Sequence, residues 1–366
     1  MVNHLGNWKN GELGDFVTLK RGFDLPQQKR EDGQVPIFSS SGITGTHSTA
    51  MVKAPGVITG RYGTIGEVFY AAKDFWPLNT TLFVEDFHGN DAKFIYYFLK
   101  TLEWSKFTSA SAVPGINRNT VHKEIVSLPD IETQRRIAST LSMFDEKIKI
   151  NTEINDNLQQ QAAALFSSLY DRSNTEVRFT DLIQILGGGT PKTGENTYWN
   201  GNIAFFTPKD VGTPYTLITE KTISKEGLSH CNSRLYPVNT VFVTARGTVG
   251  KVGMSGVPMA MNQSCYALVG KETHQLLVYF YTLKAVDRLK HKASGAVFDA
   301  ITTRDFESEQ IMKLSDDDAT AFLRVAEPMF QEVLNNNMEN LRLSTLRDSL
   351  LPKLMSGEID VSAVQL

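Results

Sequence analysis

Two regimes of hydrophobic spacing alternate twice along this chain. From Ile131 to about Tyr170, apolar residues recur at intervals of four and three: Ile137, Leu141, Phe144 and Ile148, then in the same phase Leu158, Ala162, Leu165 and Leu169. That is the period of a helix burying one narrow stripe against another helix. Asn151 and Asn155 occupy the two positions where the apolar phase is interrupted. The pattern returns towards the other end, with Phe330, Leu334, Asn337 and Leu341 in phase and a Leu-rich run through Leu343, Leu346, Leu350 and Leu354. Neither helix can bury its stripe alone, so the two are expected to pack as an antiparallel coiled coil. A helix of some 40 residues is roughly 60 Å long. A buried Asn in such a seam costs stability but can fix register.

Ahead of each helical stretch the pattern is different. Short β-branched and aromatic runs, such as Val35-Pro-Ile-Phe38, Gly56-Val-Ile-Thr59 and Asn239-Thr-Val-Phe-Val-Thr244, are separated by Gly, Pro and Asn and predict short strands joined by loops. These segments also repeat. Gly60-Arg-Tyr-Gly-Thr-Ile-Gly-Glu-Val68 is echoed by Thr244-Ala-Arg-Gly-Thr-Val-Gly-Lys-Val252, and Leu78-Asn-Thr-Thr-Leu-Phe-Val84 by Met261-Asn-Gln-Ser-Cys-Tyr-Ala-Leu-Val269. Aromatic helical stretches follow at Phe94-Ile-Tyr-Tyr-Phe-Leu99 and Leu277-Val-Tyr-Phe-Tyr-Thr-Leu283, then Ser111-Ala-Val-Pro114 and Gly295-Ala-Val-Phe298. All four matches lie about 184 residues apart, in one order. The expected architecture is α+β: two mixed α/β domains alternating with two long helices, in a pseudo-twofold repeat. The expected bounds are 1–129, 130–174, 175–314 and 315–366.

Composition is that of an ordinary globular protein, with 41% hydrophobic and 21% charged residues in 366. Net charge is −3, which argues against a nucleic-acid binder until its distribution is followed. Residues 1–129 carry 13 Lys and Arg against 12 Asp and Glu, and residues 175–314 carry 15 against 12. The two helical segments are acidic, at 5 against 7 and 4 against 9. Phosphate contact needs a local basic patch rather than a basic total, so the balance permits DNA binding without requiring it. Cys231 and Cys265 give neither a metal-type spacing nor a disulfide framework, which fits a reducing compartment. Residues Met1 to Trp8 lack a signal-peptide pattern, and no stretch approaches the roughly 18 apolar residues of a membrane span. The expectation is a cytoplasmic protein with no membrane association.

Several motifs resemble those of the specificity subunits of Type I restriction-modification systems. Gly188-Gly-Thr-Pro-Lys192, Tyr198-Trp-Asn-Gly-Asn-Ile203 and Phe206-Thr-Pro-Lys-Asp210 are similar to the opening of that family's target-recognition domains. Leu128-Pro-Asp-Ile-Glu-Thr-Gln-Arg-Arg-Ile137, with Leu141 to Lys147, resembles the start of its central helical region. Leu346-Arg-Asp-Ser-Leu-Leu-Pro-Lys-Leu-Met-Ser-Gly-Glu-Ile359 resembles the end of its distal one. The first unit departs from the pattern at Leu19-Lys-Arg-Gly22, which lacks the Gly-Gly-Thr-Pro run, and Phe298 stands where Pro114 would recur. The resemblance implies that each domain reads one half of a split double-stranded DNA target, with the helices acting as a ruler. Two methyltransferase subunits would dock on those helices, and restriction subunits would join them. S-adenosylmethionine, ATP and magnesium would belong to those partners, with no cofactor held by this chain.

The residues show no chemistry of their own. Ala245-Arg-Gly-Thr-Val-Gly-Lys-Val252 imitates a phosphate-binding loop, but such a loop needs Gly where Ala245 stands and Ser or Thr where Val252 stands. A tight scaffold turn is the better reading, with Gly63, Gly66, Gly247 and Gly250 suited to positive φ. No methyltransferase Asn/Asp-Pro-Pro-aromatic motif occurs, the histidines are scattered, and no nucleophile elbow is present. The chain is expected not to be an enzyme by itself and to hold no metal.

Base reading favours Arg or Lys for guanine and Asn or Gln for adenine, carried on loops of a rigid scaffold; phosphates favour Lys, Arg and main-chain N–H groups. The candidates in the first domain are Lys20, Arg21, Lys29, Arg30, Ser39 to Gly42, Arg61, Tyr62, Asn117, Arg118 and Asn119. In the second they are Lys192, Tyr198, Lys209, Arg246, Thr302, Thr303 and Arg304. Arg61 and Arg246 stand out because each adjoins a repeated glycine turn. For any one of these side chains the alternative is a solvated surface residue. Asn79 and Asn262 recur in both units, which points to scaffold hydrogen bonding. A rival reading is a stand-alone DNA-binding protein that would bind tightly without partners; another is an enzyme of unrecognised type, active alone.

Overall fold

The computed structural model describes residues 8–108, 114–212, 214–292 and 300–361. Ser111 to Val113 and Gly295 to Phe298, three of the four residues of the fourth repeat match and all of its echo, lie outside the described residues, as does the start of the chain before Trp8. By contacts the chain divides into two units, Met1–Lys147 with Arg342–Leu366 and Ile148–Leu341.

In the first unit, Thr18–Arg21, Thr81–Asp86, Gly56–Gly60 and Val68–Ala71 form a sheet in that spatial order. A second sheet runs Gly42–His47, Val35–Ser39 and Trp76–Pro77. Every residue of the inner strand Gly56–Gly60 is buried, with Ile58 paired to Phe83 on one side and Phe69 on the other. A strand buried on both faces reads as a continuous apolar run rather than an alternating one. The helix Ala92–Thr101, capped by Asp91 through the Phe94 N–H at 2.8 Å, buries Phe94, Ile95, Tyr97, Phe98 and Leu99. Lys9–Glu12 then pairs antiparallel with Ile125–Leu128, which closes the domain just before the long central helix Ile131–Arg172.

The second unit repeats this order. Its larger sheet runs Ile183–Gly187, Cys265–Gly270, Val241–Thr244, Val252–Ser255 and Tyr215–Thr216, and its smaller one Lys221–Ile223, Trp199–Phe206 and Met259–Met261. Val241–Thr244 is the fully buried inner strand, the helix Gln275–Lys292 supplies the aromatic layer, and Thr175–Arg178 pairs with Gln310–Lys313 ahead of the distal helix Asp316–Met355.

Within each unit the two long helices run antiparallel. In the first, Ile137, Ala138 and Leu141 share a core with Leu351, Leu354 and Met355, and the half-buried Asp145 pairs with Arg347. In the second, the pairs step oppositely along the two chains: Asn151 with Asn340 at 2.9 Å, Asn155 with Asn337 at 2.9 Å, and Arg172 with Asp318 at 2.7 Å. The interrupting Asn151 and Asn155 are therefore buried, and each donates to an asparagine of the facing helix, as a seam position requires of a polar side chain.

The seam needs one addition and one correction. Phe166, beside the partly buried Leu165, also enters the core; it is 1% exposed and stacks on Phe280 at 4.9 Å while meeting Phe322 at 5.5 Å. The helix is packed there by a domain as well as by its partner helix, so its buried stripe is wider than the coiled-coil seam. Leu346, read as part of the leucine run, is 46% exposed, and its neighbour Arg347 turns towards Asp145 instead.

Candidate nucleic-acid interface

The glycine turn is built the same way in both units. Gly63 and Gly66 have φ of +76° and +85°, and Gly247 and Gly250 +82° and +73°, conformations that only glycine adopts without strain. In the first unit the Arg61 and Tyr62 N–H groups donate to the Thr80 carbonyl at 2.9 and 3.2 Å; in the second, those of Ala245 and Arg246 donate to the Ser264 carbonyl at 2.8 and 3.2 Å. Ile116 N–H donates to the Arg61 carbonyl at 3.1 Å, and Ile301 N–H to the Ala245 carbonyl at 2.9 Å. Tyr62 bridges to Gly115 and Arg246 to Ala300. Each following residue, Asn117 or Thr302, then caps a short helix, Arg118–His122 or Thr303–Glu307.

These bonds align the two copies residue by residue. Arg61 corresponds to Ala245 and Tyr62 to Arg246, so the two arginines beside the turns are neighbours in register rather than counterparts. The pairing of Asn79 with Asn262 is likewise displaced by one residue. Leu78 N–H donates to the Phe38 carbonyl and Asn262 N–H to that of Phe206, so Asn79 corresponds to Gln263. The side chains agree: Asn79 bonds Asp24, and Gln263 meets Thr190. Gly22 and Gly188 are also counterparts, since a Cβ on either would sit 2.2 Å from a carbonyl oxygen, that of Leu78 or Asn262. The Gly-Gly-Thr-Pro motif thus keeps one of its glycines in the first unit.

The first unit's candidates converge. Arg21, Arg61, Tyr62, Asn117, Arg118 and Asn119 line one groove of about 430 Å³, together with Leu82, Gly115 and Ile116. The lining carries three guanidinium groups and no carboxylate, although Asp24 approaches Arg21 at 3.8 Å from outside it. Arg61 is braced: its Nε donates to the Ile116 carbonyl at 3.3 Å and its guanidinium lies 4.6 Å from the Tyr62 ring centroid. Ser40 borders the turn, with its Oγ near Gly63. Behind the groove, His122 Nε2 accepts the Leu19 N–H at 2.9 Å. Burial, then Arg118 and His88, hold its pKa below the ordinary histidine value.

The other candidates are placed elsewhere. Lys20 pairs with Glu85 on the outer strand. Lys29 is exposed on the turn Gln27–Lys29, and Arg30 Nη1 donates to the Thr44 carbonyl at 3.4 Å. In the second unit Arg246, Thr302, Thr303 and Arg304 are exposed around the glycine turn, and Lys209, 3.6 Å from Glu220, lies beside Pro208, whose carbonyl accepts the Thr248 hydroxyl at 3.2 Å. Lys192 is exposed, its carbonyl holding the Trp199 indole N–H at 3.1 Å, while Tyr198 stacks on His230 with centroids 4.9 Å apart. Gln263 escaped the sequence reading; an ungapped offset of 184 residues, from Gly63 and Gly247 onward, would have aligned it with Asn79.

Among the described residues no group of His, Cys, Asp and Glu could hold a metal ion, and no helix is long and apolar enough to cross a membrane. Burial pushes the Cys265 thiol up to about 12. Such a group is inert as a nucleophile at neutral pH.

The profile of the Type I restriction modification DNA specificity domain matches residues 6–160 and 172–313. The chain is 24% identical, over 71% of its length and 75% of the relative's, to the Type I restriction enzyme HindI specificity subunit of Haemophilus influenzae. It is 21% identical, over 75% of its length and 70% of the relative's, to the MjaIX specificity subunit of Methanocaldococcus jannaschii. Its fold is similar to the crystal structure of a Type I restriction-modification S subunit from M. genitalium, with a TM-score of 0.66, 17% identity and 97% of each chain covered.

Proposed function

Because the chain belongs to the Type I restriction-modification DNA specificity family, we propose that it selects the DNA sequence while partner subunits carry out the chemistry. It is a sequence-specificity subunit, and its two family domains fit a target read in two halves. In this reading residues 1–129 and 175–314 are the readers, and residues 130–174 and 315–366 are the spacer that sets the gap between half-sites. Two methyltransferase subunits dock on the spacer and bring S-adenosylmethionine; restriction subunits bring ATP and magnesium. The chain works in the cytoplasm and is not an enzyme alone.

The observation that carries the reading is the duplicated turn, one per family domain, with exposed Arg, Lys, Asn, Gln and Thr gathered around it. Arg21, Arg61, Tyr62, Asn117 and Arg118 are the contacts in the first domain, and Arg246, Thr302 and Arg304 in the second. Lys29, Arg30, Lys192, Tyr198 and Lys209 lie further out, as phosphate or flanking contacts, and Lys20 follows once its pairing with Glu85 exchanges for phosphate. The family relation does not favour a stand-alone binder. A long-read methylation map of cells carrying this chain with its methyltransferase, against the methyltransferase alone, tests the reading. A new two-part methyladenine motif with a fixed gap is expected; its absence, with both proteins soluble and associated, overturns it.

A further inference from the structure

We propose that Arg61 reads a guanine in one half of the target, and that the two residues ahead of each glycine turn form a specificity pair: Arg61 and Tyr62 in the first domain, Ala245 and Arg246 in the second. This rests on the reading of the chain as a two-domain DNA specificity subunit. Three observations carry it.

The first is exchange on a constant backbone. The same main-chain hydrogen bonds hold Arg61 and Ala245, and the same hold Tyr62 and Arg246. Phosphates present one geometry to any duplex-binding scaffold, so a phosphate clamp at this place would recur in both copies. Base edges differ between half-sites, and a residue that reads them has to differ too. Ala245 stands where Arg61 does, and the arginine of the second copy has moved one position along.

The second is pre-organisation. Nε of Arg61 is used on the Ile116 carbonyl at 3.3 Å, and its plane lies by the Tyr62 ring at 4.6 Å. Its two terminal amino groups have no hydrogen-bonding or ionic partner among the described residues. A guanidinium held by Nε and by an aromatic ring keeps a fixed fork for a bidentate acceptor such as guanine O6 and N7. A point contact to a phosphate would not need that bracing. The third is setting: the groove lining also supplies Arg21 and Arg118 and no carboxylate, which leaves backbone anchoring to those two.

The test is a methylation map of cells carrying the methyltransferase with wild-type chain, Arg61→Gln, Arg61→Lys, or the exchange of Arg61→Ala with Tyr62→Arg. In the wild type, one half of the motif is expected to contain a guanine that Arg61→Gln relaxes or replaces, with the other half and the gap unchanged. Preference for that guanine should fall about 5- to 150-fold. Arg61→Lys keeps the charge and loses the braced fork, so it is expected to weaken the same position, and the exchange to alter that half alone. A motif unchanged at every position in soluble variants that copurify with the methyltransferase overturns the assignment, whether methylation stays complete or falls uniformly. Should Arg61→Gln not fold, the Arg61→Lys map decides the question in the same two ways. A wild type that yields no two-part motif overturns the specificity reading itself, which is a different failure.

Discussion

Asn155 donates to Asn337 at 2.9 Å across the paired helices of the second unit, and its own side-chain oxygen accepts from the buried Asn336 at 2.9 Å. With Asn151 bonded to Asn340 and Glu339, the centre of this helix pair is a polar ladder in place of leucine layers. The amide donors of this ladder meet these partners in one register only, while the buried Asn151 Oδ1 has no hydrogen-bond partner among the described residues. Asn155→Ala is expected to cost about 1–3 kcal/mol, because it orphans the buried Asn336 amide and the half-buried Asn337 carbonyl. Replacing Asn155, Asn336 and Asn337 together by leucine should be near neutral or stabilising, since no unpaired group remains. Urea unfolding of the two variants checks this; equal losses would show that burial of the amides is not what governs stability here.

The corrected seam makes a paired prediction. Phe166→Ala should destabilise by about 3–5 kcal/mol, as for a buried aromatic that leaves a cavity. Leu346→Ala should change stability by no more than about 0.5 kcal/mol, as for an exposed position. Thermal melts in which Leu346→Ala cost as much as Phe166→Ala would return Leu346 to the core.

Gly22 and Gly188 should respond alike although their neighbours in sequence differ. A Cβ at either meets two backbone carbonyl oxygens, at 2.2 and 2.6 Å, and backbone cannot swing aside as a side-chain tip can. Gly22→Ala and Gly188→Ala are each expected to destabilise by about 1–3 kcal/mol or more. A tolerant response at only one of them, by thermal unfolding, would break the correspondence between the two units at that point.

His122 makes the first domain sensitive to acid. Its Nε2 must be unprotonated to accept the Leu19 N–H, and its pKa lies below the ordinary value of 6.5. Between the lowered folded value and 6.5, the unfolded chain binds the proton and the folded chain does not. Stability therefore falls as pH drops below about 6.5. His122→Gln keeps an acceptor for Leu19 but does not titrate, so its urea midpoint should decline less between pH 7.5 and 5 than that of the wild type. Parallel declines would assign the acid response to other groups.

The legible part of this molecule was whatever depends on local period. The four-three spacing from Ile137 onward identified a helix that spans Ile131–Arg172, and the glycines of the repeated turn were read correctly as positive-φ positions. The interrupting asparagines were placed in the seam because only register, not side-chain partners, had to be known. Where packing by a second surface decided, the reading slipped: Phe166 is buried by a domain that the heptad phase does not describe, and Leu346 yields to an ion pair formed with Asp145, about 200 positions away.

The sequence by itself determined the two-copy plan, the pair of long helices and the family, because each is written in periodicity or in ordered motifs. Backbone hydrogen bonds to the Thr80 and Ser264 carbonyls hold Arg61 and Ala245 alike, as the ungapped repeat already aligns them, whereas those to the Phe38 and Phe206 carbonyls set Asn79 against Gln263 in place of the similar Asn262. Likewise, Arg21, Arg61 and Arg118 become one groove only when the outer strand, the glycine turn and the short capped helix are brought side by side. Chain distance carries no information about that meeting, since long-range strand pairing and burial, rather than local propensity, set which loops share a face.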